Sequence, residues 1–179
     1  MSDAVSPVGR TRTAPAEGAD VAHLRIAVAS CQHYEQGAFA AHRDIAEQDV
    51  DVVLFLGDYI YESSNPRYRL RAHEGPPPKT LDAYRARHAT YKLDADLRAA
   101  HAAHPWLLTW DDHEVENDYA NDQSPSCTSV AEFLARRTAA YKAYFEHMPV
   151  APSMAPQGAS MRIHERYTWG RLAELWTLD

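Results

Sequence analysis

The stretch Val50-Asp51-Val52-Val53-Leu54-Phe55-Leu56-Gly57-Asp58-Tyr59-Ile60-Tyr61-Glu62 decides how this chain is read. Its apolar run, ending at Leu56, is short, bounded and rich in β-branched side chains, which reads as a buried strand. The strand stops on Gly57 and hands over at once to a carboxylate and two phenols. An Asp after such a turn has an ordinary use, capping the backbone, so Asp58 alone does not separate a cap from a ligand. One of the two tyrosines is expected to pack against the sheet.

Working outward, His23 to Ser30 (HLRIAVAS) reads as a strand ending at Cys31. In the segment 37–48, Phe39, His42, Ile45 and Ala46 fall at helical spacing. Strand, helix and strand at these distances predict a βαβ unit with parallel pairing. The segment 63–79 contains Gly75-Pro76-Pro77-Pro78 and reads as loop. Thr80 caps a helix running through Tyr91, and Asp94 caps another that stops near His104-Pro105. Trp106 to Trp110 (WLLTW) is a third apolar strand, and it too runs into acids, Asp111 to Asp118 (DDHEVEND). Ser129 with Glu132 forms a capping box for a helix striped with Phe133, Tyr141, Tyr144 and Met148. The last stretch, Arg162 to Asp179, reads as two strands around Trp169-Gly170.

With 179 residues, 45% of them hydrophobic, the chain can bury one sizeable core. A net charge of −7 gives no basic face, so no nucleic-acid recognition surface is expected. No apolar run approaches the roughly 20 residues of a membrane helix. Residues 1–22 lack the apolar core of a signal peptide and read as a disordered lead-in. Cys31 and Cys127 sit in unlike contexts and are not paired. Ten histidines raise the prospect of metal chemistry without locating it.

Three strand ends therefore carry unusual residues: Cys31 with His33 and Tyr34, Asp58 with Tyr61, and the run Asp111-Asp112-His113-Glu114. Parallel strands bring such groups to one edge, where open α/β sheets bind ligands. A thiol, carboxylates, a phenol and imidazoles together suit a transition metal, with a harder cation beside it. A lone Cys31 would be a small buried hydrophobe, but four polar residues in a row after an apolar strand need a partner. Glu116 and Asp118 read as solvated loop charge, as do Arg67, Arg69 and Arg71.

The run LGDYIYE (56–62), with SCQHYEQGAFAAHRDIAEQDVD (30–51) before it and WDDHEVENDY (110–119) after it, closely resembles the PhoD-type alkaline phosphatase family of metallophosphatases. DAYRARHATYKLDADLRAAHAAHPW (82–106) and RRTAAYKAYFEHMPV (136–150) resemble further segments of that family, so the likeness covers residues 23–179. The resemblance implies an α/β fold, a β-sandwich flanked by helices, and hydrolysis of phosphomonoesters and phosphodiesters at an iron and calcium centre. It implies Cys31, Asp58 and Tyr61 as iron ligands, with Asp58 shared toward calcium (Fe3+ and Ca2+). It implies Asp112 as a ligand of the second metal and His113 as the group that meets the phosphate. Phe55 stands where the family commonly has His. Family members are typically exported.

The family's later motifs are missing after Asp179, so the chain is expected to be the first half of the catalytic domain, holding part of the metal site. Three readings compete at this stage. The first is a metal-dependent phosphoric ester hydrolase present as an amino-terminal part, and the second a different metal-dependent hydrolase with the same edge. The third is a non-enzyme, either an inert product or a chain that self-associates through its unfinished sheet or needs a second chain.

Overall fold

The computed structural model describes residues 8–126 and 129–179; Cys127 lies outside the described residues. Its fold is mixed α/β. Strands β1 (Ile26–Ala29), β2 (Val52–Leu56) and β3 (Trp106–Thr109) form a parallel sheet in that order, with Ile26 opposite Val52 and Val53 opposite Trp106. Helix α1 (Ala40–Glu47) makes the first crossover, and α2 (Leu81–Lys92) and α3 (Ala95–Ala103) the second. Helix α4 (Val130–His147) packs on α2, and β4 (Glu165–Trp169) pairs antiparallel with β5 (Ala173–Thr177). Among the described residues, no helix is long and apolar enough to cross a membrane.

The caps read from the sequence are in place. Thr80 accepts from the Ala83 N–H, Asp94 from the N–H groups of Asp96 and Leu97, and Ser129 with Glu132 makes the full capping box. The helices cover one face of the sheet, burying Val53, Phe55, Trp106 and Leu108. The other face is only partly covered by β5, so the strand read as wholly buried alternates instead: Leu56 is 52% exposed beside a fully buried Phe55. Strand period is two, and only one side has a layer of helices.

The core is rich in phenols, and a buried hydroxyl needs a partner, which Tyr59, Tyr84, Tyr91 and Tyr141 find and Tyr144 does not. Tyr84 donates to the Val115 carbonyl at 2.6 Å and receives the Arg136 Nε at 2.9 Å. Tyr59 is wholly buried with its hydroxyl 2.9 Å from His101 Nε2, so Tyr59 is the tyrosine that packs on the sheet. From residue 8 onward the leading segment lies along the domain. The Arg10 N–H donates to Ala102 O, Arg12 pairs with Asp51 at 2.7 Å, and Ala19 O accepts from the Arg171 N–H. Composition alone did not foretell these contacts, because they belong to partners far along the chain.

Two readings of loop charge are corrected. Arg71 is not solvated: it stacks 3.8 Å from the Tyr34 ring centroid and bonds Asp94 at 2.7 Å. Glu116 is buried, paired with Arg136 at 2.9 Å and bonded by the Ser124 hydroxyl at 2.7 Å. Their partners come from other elements, which the local sequence does not show.

Burial also holds imidazoles in the neutral form. It pushes His101 down to about 3 and, helped by Arg87, His73 down to about 4; His42, His88 and His147 are lowered as well. Between those values and about 6.5 each of these histidines is protonated in the unfolded chain and neutral in the folded one, so their contribution to stability is full above about pH 6.5 and is lost on acidification. Each histidine contributes a slope of at most ~1.4 kcal/mol per pH unit. Thermal melting with a chelator present is expected to show a falling Tm between pH 7 and 5. A flat profile contradicts the neutral assignment.

Candidate metal centre

The chain leaves β1, β2 and β3 side by side, and all three exits are tied together. The Cys31 N–H donates to Gly57 O at 3.1 Å and the Gln32 N–H to Asp58 O at 3.2 Å. Cys31 and Asp58 both hold left-handed backbone, with φ of 56° and 55°, a conformation that costs a non-glycine residue energy and persists only where surroundings enforce it. Gly57 has φ of 103°, and a Cβ there would stand 2.4 Å from the Asp111 nitrogen. The strand therefore ends on glycine because the neighbouring exit passes too close for a side chain.

Glu114 fastens the second and third exits. Its carboxylate accepts the N–H groups of Asp58 (3.1 Å), Tyr59 (2.6 Å) and Asp111 (3.0 Å) while only 2% of the residue is exposed. Burial pushes its pKa up to about 8, against the pull of those N–H groups. A second buried acid, Glu62, accepts from His113 Nδ1 at 2.7 Å and from the Asn117 N–H at 3.2 Å. Burial opposes the charge on both partners. The pairing wins in each: Glu62 is held below the usual carboxylate range and His113 above the usual imidazole one.

Asp58, Asp112 and His113 come together, with one ligand atom from each lying within 4.8 Å of the others. Asp58 Oδ2 accepts the Tyr61 hydroxyl at 2.9 Å, while Oδ1 is buried with no partner. Tyr61 is raised above its ordinary pKa by burial, then by Asp58, with the Cys31 thiol beside it adding to the shift. Burial and the charges of Asp58 and Asp112 likewise raise Asp111. Asp112 accepts the Asp118 N–H, and Asp118 is exposed. Cys31 is exposed and free, next to Tyr61 and outside the three-residue group.

The Tyr61-Glu62 turn is held from behind. Arg87 donates to the carbonyls of Tyr61 (2.6 Å) and Glu62 (2.9 Å), and the Tyr91 hydroxyl accepts the Tyr61 N–H at 2.9 Å. Glu62 stood at the end of the quoted motif, and Glu114 in the acidic run, without a stated role. Their supporting work shows only when the loops are brought together. Arg87 had no local signal at all.

Glu114 generates a stability prediction. Glu114→Ala leaves three N–H groups in a buried place without an acceptor, at ~1–3 kcal/mol each. A Tm drop of many degrees is expected, with Glu114→Gln, which keeps one carbonyl oxygen, falling between Ala and the parent. Equal melting of Glu114→Ala and the parent contradicts this role.

Comparison with known proteins agrees with the geometry. A family model described as PhoD-like phosphatase matches residues 26–179. Alkaline phosphatase D of Bacillus subtilis (strain 168) is 48% identical over 180 residues, covering 98% of this chain and 31% of that protein. A solved structure described as "Structure of PhoD" aligns with a TM-score of 0.94 at 48% identity, covering 97% of this chain and 34% of that one. The chain spans about a third of the length of these relatives. With the family matched over most of its length, and with Asp58, Asp112 and His113 drawn to one sheet edge, the chain belongs to the PhoD-like phosphatase family.

Proposed function

We propose that this sheet edge belongs to the metal centre of a phosphoric ester hydrolase acting on phosphomonoesters or phosphodiesters. The observation that carries the reading is Asp58 Oδ1, a buried carboxylate oxygen without a donor, beside Asp112 and His113. Leaving such a group unsatisfied costs ~1–3 kcal/mol, and a cation removes that cost. The donor set fits the metals implied by the family. The thiol of Cys31 and the phenol of Tyr61 suit iron, and the oxygens of Asp58 and Asp112 suit calcium. Cys31, Asp58 and Tyr61 would hold the iron, with Asp58 shared toward a calcium ligated by Asp112. When bound, the metals supply Lewis acidity and neutralise charge on the phosphate oxygens.

The chain's own groups do the rest. Glu62 grips His113 Nδ1 and favours the charged ring, which leaves Nε2–H free to donate to a phosphate oxygen. Tyr61 keeps its proton on Asp58 while the acids are bare, so its ligation releases that proton. Arg87 and Tyr91 fix the turn that carries both Tyr61 and Glu62, which limits the reorganisation needed when substrate arrives. The same reading takes the β1–β3 sheet and the β4–β5 hairpin as parts of the two layers of a helix-flanked β-sandwich.

A visible absorption band from phenolate on iron is expected in iron-loaded protein, and Tyr61→Phe should abolish it. In the full gene product, Asp112→Ala should lower turnover of p-nitrophenyl phosphate and its diester on the order of 100-fold, since losing a ligand should exceed the loss of supporting residues. Glu47→Ala, on the exposed side of α1, should leave turnover unchanged. A band that survives Tyr61→Phe, or equal effects of Asp112→Ala and Glu47→Ala, would sink the assignment.

A further inference from the structure

One imidazole at this edge has no role in the metal set. His33, two residues past Cys31, packs its ring 4.4 Å from that of Tyr61, whose ring also meets His113 at 4.0 Å. His33 and His113 are thus neighbours of one phenol. The Glu35 N–H donates to His33 Nδ1 at 3.2 Å. A ring nitrogen that accepts carries no proton, so the proton sits on Nε2 and that atom is a donor.

The backbone that fixes this tautomer is itself immobilised. The Glu35 side chain is wholly buried, accepting the N–H groups of Asn65 and His73 at 2.9 Å and the Ser64 hydroxyl at 3.3 Å. His33 is half-buried, and no described residue accepts from its Nε2. A donor of fixed tautomer, held rigidly beside a cation site and left without a protein partner, is arranged for a ligand oxygen.

We infer that His33 is a substrate-binding residue whose Nε2–H donates to an oxygen of the phosphate ester held at Asp58, Asp112 and His113. The inference rests on the phosphoester reading above and adds a recognition group to it. The competing role is packing, since His33 also lies 5.5 Å from the His73 ring. The two roles make opposite demands on a substitution. His33→Phe keeps an aromatic ring against Tyr61 and loses the donor. His33→Gln loses the ring and places an amide nitrogen near the position of Nε2.

The test uses the metal-loaded full gene product, with inorganic phosphate as the calorimetric probe and p-nitrophenyl phosphate for kinetics. His33→Phe and His33→Ala are expected to weaken phosphate binding and raise KM about tenfold, the effect of one hydrogen bond to a charged group. Metal content and the Tyr61-dependent band should stay at parental levels. His33→Gln should bind phosphate within about threefold of the parent, a difference smaller than that bond is worth. Parental phosphate affinity in His33→Phe, or His33→Gln as weak as His33→Phe, overturns the inference while leaving the phosphoester reading intact. A parent that binds metal but no phosphate overturns both.

Discussion

The site depends on one buried carboxylate. Glu114 accepts three backbone N–H groups from two separate strand exits, which ties those exits to one side chain. Parallel strands leave their carboxyl ends ragged, because each loop departs toward its own helix. A carboxylate is one of the few acceptors that can serve several N–H groups at once. By doing so, Glu114 fixes Asp58 and Asp111 relative to each other and forces the close passage that makes Gly57 obligatory. The left-handed backbone at Cys31 and Asp58 is the strain that this arrangement tolerates.

Around that latch the chain builds its rigidity from polar side chains. Arg87 and Tyr91 hold the Tyr61 backbone, Glu35 holds the loop at Asn65 and His73, and Glu62 holds His113. Every such group is buried and partnered, so each bond counts for more than it would in water, and each partner lost would leave an unsatisfied group behind. Asp58 Oδ1 breaks the pattern. Buried polar atoms without a partner also occur at His42, Arg71, His88, Arg137 and Tyr144, but Asp58 Oδ1 is the one that belongs to the group of three possible metal ligands.

Much of the fold was legible in the sequence because its signals are local. The three apolar strands, the helix caps at Thr80, Asp94 and Ser129, and the turn at Trp169-Gly170 are each announced by a few neighbouring residues. Parallel pairing followed from the helix between strands, and it placed Asp58 beside Asp112 and His113. The supporting residues were not legible for the opposite reason. Glu116 looks like any loop acid until Arg136 arrives from α4, and Arg71 looks solvated until Tyr34 and Asp94 close over it. Leu56 looks buried because hydrophobicity does not say which face of a strand has a layer above it. Cys31, expected in the metal set through resemblance, lies beside Tyr61 but outside the tight group of three.

Cys31 is therefore the residue whose ligation tests an iron site at this edge most directly. X-ray absorption at the iron edge of the iron-loaded protein reads the ligand atoms without requiring turnover. An iron site that includes Cys31 gives one sulfur scatterer among oxygen or nitrogen neighbours, lost in Cys31→Ser. A first shell of light atoms alone, unchanged by Cys31→Ser, would contradict an iron site built on the exits of β1 and β2.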